Sequence, residues 1–332
     1  MDHHEAHFPA VRLRRLRRTA ALRDAFAETR LHPSDLVLPV FVKEGLEGNH
    51  PVESLPGVSQ HGVDSAVDLV KRAASVGVRS FLLFGIPERK DADGSSGWDP
   101  SGPVPTATRA IREAMGDDVV LWADVCSCEY TDHGHCGPLG DDGQVLNDEA
   151  VVGYLRESIA YAEAGINIVA PSGMMDGQVA VIRNGLDDAG FGEVAIVAYA
   201  AKYASAFYGP FRDVAESGMT SGDRRSHQMA ASNRREAIRE IDLDVLEGAD
   251  VIMVKPALPC LDIIADAARD HPLPVAAYHV SGEHAMLAAA ADRGMLDLDA
   301  ATLEAHVSIK RAGADLVITY AAEHVAGLLD RP

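Results

Sequence analysis

Short apolar runs rich in Val, Ile and aromatic residues recur along the whole chain. They fall at Leu36–Val42, Ser80–Ile86, Val119–Val125, Ile166–Ser172, Val194–Ala200, Asp250–Lys255, Pro274–Val280 and Asp315–Tyr320. Each is nearly continuous in hydrophobicity instead of alternating, which fits strands buried on both faces of a parallel sheet. Segments of helical period lie between them. Ser65–Val76 places Val67, Val70 and Ala74 on one face, with Lys71 and Arg72 outside. Comparable patterns cover Ala150–Ala164, Asp176–Ala189, Asn233–Glu247, Leu261–Asp270, Glu283–Arg293 and Asp299–Ala312. Most of these helices stop at a glycine (Gly77, Gly165, Gly190, Gly248, Gly294, Gly313), the residue that enters the left-handed region at least cost. Helix, glycine, strand, repeated, predicts an α/β fold, and eight such strands predict a closed (β/α)8 TIM barrel. An open doubly wound sheet is the rival; no G-x-G-x-x-G follows an early strand, which weakens its dinucleotide-binding form. No linker divides the chain, so a single barrel over residues 31–332 follows an N-terminal arm, residues 1–30.

Composition narrows the partners. The 332 residues carry 30 Lys+Arg against 50 Asp+Glu, a formal net charge of -20. That surplus argues against nucleic acid or an anionic membrane as the main partner. No stretch approaches the roughly 20 apolar residues of a membrane span, and no apolar run marks a secretory signal. A cytoplasmic location is the expectation. The one strong basic cluster, Arg12, Arg14, Arg15, Arg17 and Arg18, reads as an arm docking on acidic surface in preference to a nucleic-acid site.

Chemistry collects at the C-terminal ends of barrel strands, and here those ends are loaded. The third strand runs through Asp124 into Cys126, Cys128, His133, His135 and Cys136; the fourth ends at Ser172; Lys202 follows the fifth; Lys255 ends the sixth; Ser281 follows the seventh; Tyr320 ends the eighth. A buried Lys255 near a second cation, Lys202, has a lowered pKa, and a neutral amine attacks a ketone to form a Schiff base. The plainer reading is a buried lysine paired with a carboxylate. Three thiols within a short stretch in a reducing compartment favour zinc over a disulfide. Three ligands leave the fourth position open, the catalytic arrangement. His133 or His135 replacing a ligand, or ordinary buried cysteines, remain open alternatives, and Cys260 reads as a packing residue. No regular pattern covers Gly209–Ser232, and a loop this long is usually either functional or disordered. Arg212 and Arg224 in it either clamp a substrate carboxylate or solvate the loop. Ser281 and Tyr320 offer hydroxyls to a second carboxylate; each alone is more often a structural hydrogen bonder.

Five motifs in order resemble the porphobilinogen synthase (5-aminolevulinate dehydratase) family. They are Asp124-Val-Cys-Ser-Cys with His133-Gly-His-Cys-Gly, Ala201-Lys-Tyr-Ala-Ser with Phe207-Tyr-Gly-Pro-Phe-Arg212, Met253-Val-Lys-Pro, Val280-Ser-Gly-Glu, and Ile318-Thr-Tyr320. The likeness runs from about Arg12 to the C-terminus. It implies a barrel lyase condensing two 5-aminolevulinate molecules into porphobilinogen with loss of two waters. Lys255 would hold the propionate-side substrate, with Ser281 and Tyr320 on its carboxylate. Lys202 would hold the acetate-side substrate, with Arg212, Arg224 and Gln228 on its carboxylate and Asp124 and Ser172 positioning it. Tyr208 would line the substrate site. Zinc would sit on Cys126, Cys128 and Cys136, and an allosteric magnesium at Glu240, with Asp244 as a neighbour. Homo-octamers, or in some cases hexamers, with the arm embracing a neighbour, are implied too.

Two positions depart from the family pattern. Gly173 stands where the family usually has aspartate, removing a charge near the metal and the acetate-side pocket. His227 stands where an aromatic residue is more usual. A class I aldolase-like lyase leaves Lys202 and the cysteines unexplained. An inactive paralogue that binds an anionic metabolite or acts in assembly finds its best support in Gly173, against retention of the whole constellation.

Overall fold

A computed structural model of the chain describes residues 8–330. The eight apolar runs form eight parallel strands: β1 Leu36–Lys43, β4 Ser80–Ile86, β5 Val120–Val125, β6 Ile168–Pro171, β7 Ala195–Lys202, β8 Val251–Lys255, β9 Val275–His279 and β10 Leu316–Thr319. They lie side by side in chain order, and β10 returns to β1 through Leu36↔Val317 and Val37↔Ile318, closing a barrel. A hairpin of β2 Asn49–Pro51 and β3 Ser59–His61 extends the rim, with β3 paired to β1.

The helices are α1 Ala20–Ala25, α2 Val63–Ser75, α3 Pro103–Met115, α4 Asn147–Glu163, α5 Gln178–Asp188, α6 Gly209–Val214, α7 Arg234–Glu247, α8 Leu261–Asp270, α9 Ser281–Asp292, α10 Leu298–Ala312 and α11 Ala322–Leu329. Six of the predicted helix stops are glycines with positive φ, from 66° at Gly294 to 121° at Gly313. Apolar side chains divide into two layers. One lies between strands and helices, for example Val40, Val70, Ile182 and Ile264. The other fills the barrel, with Val37, Phe41, Phe84, Trp122, Tyr199 and Tyr278 fully or almost fully buried.

Several elements go beyond the sequence patterns. α3 starts on Pro103 with Pro105 in its first turn, where a missing N–H is harmless. The expectation of no regular structure over Gly209–Ser232 is corrected at its start: α6 is a short helix that carries Phe211 onto the barrel mouth. There Phe211 meets Phe84 edge-on with centroids 5.3 Å apart. In the arm, Leu13–Arg17 forms a short 3-10 turn and α1 follows, with Leu13 and Leu16 exposed. Residues 1–7 and 331–332 lie outside the described residues. Among the described residues no helix is long and apolar enough to cross a membrane.

Candidate active site

Lys202 and Lys255 are register partners on the neighbouring strands β7 and β8. A bulge brings this about. Three steps on β7, from Ala198 to Ala201, match two on β8, from Ile252 to Val254. Tyr199 fills the barrel, so strict alternation would turn Lys202 outward; one extra residue re-aims it inward beside Lys255. Both amines accordingly lie over the same Tyr199 ring, Lys202 Nζ at 5.4 Å and Lys255 Nζ at 5.3 Å from its centroid. Each lysine is only 5% exposed.

Lys255 stands among aromatic faces, with Tyr278 at 4.2 Å, Phe211 at 4.9 Å and Tyr208 at 5.2 Å. Burial first, and the Lys202 charge second, push its pKa down to about 7. Lys202 Nζ donates to the Ser172 carbonyl at 2.5 Å. The Ser172 hydroxyl donates to Asp124 Oδ2 at 3.0 Å, while Oδ1 is buried without a partner. Burial raises the Asp124 pKa against the opposing pull of Lys202 and Lys255.

The Sγ atoms of Cys126, Cys128 and Cys136 lie within 4.8 Å of one another, all buried, and are the only such ligand trio among the described residues. The hydrogen bond with Cys126, then burial, hold the Cys128 thiol well above its usual range. Three soft donors on one side, with neither histidine needed, fit a thiophilic divalent metal with an open position. His133 and His135 are occupied elsewhere, His133 Nε2 at the Ala92 carbonyl and His135 Nε2 at the Ser221 carbonyl. Cys260 sits apart, beside Tyr203 and Pro259.

The loop after β7 covers this centre. Arg224 is buried; its Nη2 donates to the Gly134 and Ser217 carbonyls, and its Nε is unpaired. Arg212 Nε, Gln228 Nε2 and the Tyr208 hydroxyl are likewise buried and unpaired. Buried polar atoms rarely go without partners. Four of the loop's expected substrate contacts share this state, as does Asp124, and that marks where a polar ligand would complete them. His227 joins them, its Nε2 unpaired and its pKa pushed down to about 3 by burial, then by Lys202. Ser281 and Tyr320 differ. The Ser281 hydroxyl accepts from Phe211 N at 3.0 Å and donates to the Phe207 carbonyl at 3.2 Å, bracing the cover; Tyr320 shares a 3.1 Å hydrogen bond with Tyr278. Where α6 ends, Glu216 pairs with Lys43, accepts from Gln60 Nε2 at 3.0 Å, and has its carbonyl held by Lys90 at 2.6 Å. Lys43, Gln60 and Glu216 also line a hollow of about 800 Å³ beside the cover.

Glu240 is on α7, half-buried with Asp244 one turn later, and the charges that act on it are those of Asp176, Glu236, Arg239 and Glu247, none of them part of this centre. Burial, then Glu247 and Glu240, raise the Asp244 pKa to about 8. Sequence reasoning missed Tyr199 and Tyr278 against the lysines, Glu129, which accepts from Cys128 Sγ at 3.2 Å, and Tyr154, whose hydroxyl donates to the Cys136 carbonyl. An aromatic inside a strand signals only a core residue until the register is known.

The likeness to known proteins spans nearly the whole chain. The family model described as delta-aminolevulinic acid dehydratase matches residues 10–328. A delta-aminolevulinic acid dehydratase of Mycobacterium tuberculosis is 52% identical over 97% of this chain and 98% of its own length. One from Archaeoglobus fulgidus is 51% identical over 97% and 98%. The crystal structure of the Toxoplasma gondii ME49 enzyme, in complex with the reaction product porphobilinogen, superposes with a TM-score of 0.92 at 42% identity, covering 96% of this chain and 91% of that one.

Proposed function

The chain belongs to the delta-aminolevulinic acid dehydratase family, and from that premise we propose how its residues join two 5-aminolevulinate molecules into porphobilinogen. The reaction is a lyase condensation with loss of two waters. The observation that carries the assignment is the pairing of Lys202 with Lys255. Two ketone substrates need two amines side by side. Each imine formed releases one water, which closes the water balance if both lysines are later expelled as amines during carbon–carbon bond formation and ring closure.

Lys255, with its pKa near 7, is the ready nucleophile for the propionate-side ketone. Ser281 and Tyr320 bind that molecule's carboxylate, which requires Ser281 to exchange its bonds to the Phe207 and Phe211 backbone for the ligand. Lys202 takes the acetate-side ketone, and Arg212, Arg224 and Gln228 take its carboxylate. Their unpaired Nε and Nε2 atoms support this. Asp124 and the Ser172 hydroxyl bonded to it orient the same molecule, with the unpaired Oδ1 free to accept a proton or an amine hydrogen bond. Tyr208 closes the wall over Lys255. Holding both substrates under the α6 cover makes the joining step effectively intramolecular and keeps water from the imines.

Zinc on Cys126, Cys128 and Cys136 supplies, when bound, a Lewis acid that polarises a substrate oxygen or nitrogen. Magnesium at Glu240, with Asp244 beside it, is a regulatory site and not a part of the chemistry. The enzyme works in the cytoplasm as a homo-octamer, a hexamer being the other size, with the arm up to residue 30 on a neighbouring subunit; the exposed Leu13 and Leu16 and the basic cluster support that placement. Incubating purified protein with zinc and 5-aminolevulinate and assaying pyrrole tests the activity, and borohydride trapping tests the lysines. A Lys255→Ala variant that keeps full activity and its adduct sinks the mechanism.

A further inference from the structure

Cys126 and Cys128 follow directly from β5 and are placed by the barrel. Cys136 is not. Residues 133–137 form neither helix nor strand. Their backbone is held instead by side chains that take three consecutive carbonyls. Arg224 Nη2 donates to Gly134 O at 2.9 Å, Thr131 Oγ1 to His135 O at 2.8 Å, and the Tyr154 hydroxyl, reaching in from α4, to Cys136 O. Tyr154 is fully buried, so this bond has no competition from water.

The room for Tyr154 comes from Gly173. A Cβ built there would press against the Tyr154 hydroxyl and lie 2.5 Å from its ring carbons Cε2 and Cζ. Gly173 is not among the positive-φ residues, so its backbone is one that any residue adopts. What excludes a side chain at 173 is the tyrosine. The departure at Gly173 and the anchoring of Cys136 are therefore one feature.

We propose that Tyr154, admitted by Gly173, is a positioning residue for the third metal ligand, fixing the Cys136 backbone so that its thiol closes the trio with Cys126 and Cys128. This rests on the cysteines being the metal site. Outer-shell groups of this kind orient ligands that the metal would otherwise have to order on binding. The hydroxyl replaces neither ligand nor substrate contact, and its effect falls on metal affinity.

The test is a zinc titration of metal-free wild type, Tyr154→Phe, Gly173→Ala and Thr108→Val against a chromophoric chelator, with far-UV circular dichroism as a check on folding. Thr108→Val removes a buried hydroxyl bonded to Val104 O within α3, and so controls for loss of a buried hydrogen bond as such. Tyr154→Phe is expected to weaken zinc about ten- to hundredfold with the spectrum unchanged. Gly173→Ala, whose Cβ would press on the same hydroxyl and ring, should weaken zinc too, and Thr108→Val should not. Should Tyr154→Phe fail to fold, Gly173→Ala carries the comparison. If wild type binds no zinc, the metal reading of the cysteines fails and takes this inference with it. If wild type binds and either ring variant binds as tightly, or Thr108→Val weakens zinc equally, only the positioning role of Tyr154 is overturned.

Discussion

At the scale of single residues, Lys255 is tuned against stability. Its folded pKa of about 7 lies below the ordinary lysine value, so the unfolded chain binds the proton more tightly. The sign follows: the destabilisation is full below about pH 7 and is relieved as pH rises toward the ordinary lysine pKa. Lys255→Met is therefore expected to stabilise the fold at pH 7 by on the order of a few kcal/mol while abolishing turnover, measured by urea unfolding alongside the pyrrole assay. Because only the neutral amine attacks, substrate trapping at Lys255 by borohydride should rise with pH through about 7 and level off above it. Removing the neighbouring charge with Lys202→Met should move that rise to higher pH. An unmoved profile would mean that burial alone sets the value.

At the scale of elements, the β7 bulge and α6 assemble what the strands supply separately. The cover is clamped at its end by Glu216, whose carboxyl is held below its usual range: burial pushes it up, but the hydrogen bonds from Lys43 and Gln60 outweigh that. Glu216 is in the left-handed region, with φ of 50°. The pair is partly exposed, with side chains 33% and 40% accessible, so its worth is at most about 1 kcal/mol. Glu216→Gln should raise KM by roughly two- to fivefold at low salt, with kcat less affected, and speed proteolytic nicking of the segment after α6. High salt should do the same to wild type and little to the variant. Equal nicking of both at low salt would count against the clamp.

At the scale of the whole molecule, the proposed metal and the proposed assembly are each open to a direct test. Stripping the metal, verified by metal analysis, should abolish activity, and restoring zinc should return it with release of thiol protons. Turnover by demonstrably metal-free protein would remove zinc from the chemistry. Deleting the arm through residue 30 should leave the barrel folded by circular dichroism, since Leu13–Arg17 and α1 bury no residue. The same deletion should reduce the mass found by light scattering.

Eight runs of strand hydrophobicity and six glycine stops were enough to specify the barrel, because burial on both faces and the left-handed helix end are demands that each residue meets locally. The lysines, cysteines and arginines were visible for a related reason, since charged and thiol groups at apolar strand ends have few structural uses. Register was not visible. Nothing local in Ala195–Lys202 announces an extra residue at the bulge, and that residue decides whether Lys202 faces Lys255 or the helices. Nor could Gly173 be read alone: as a lost aspartate it read only as a charge removed near the metal, and only packing shows Tyr154 in its place. Chain chemistry is carried by residue type, which sequence records; pairing and exclusion depend on which distant atoms share a volume, and only the tertiary structure decides that.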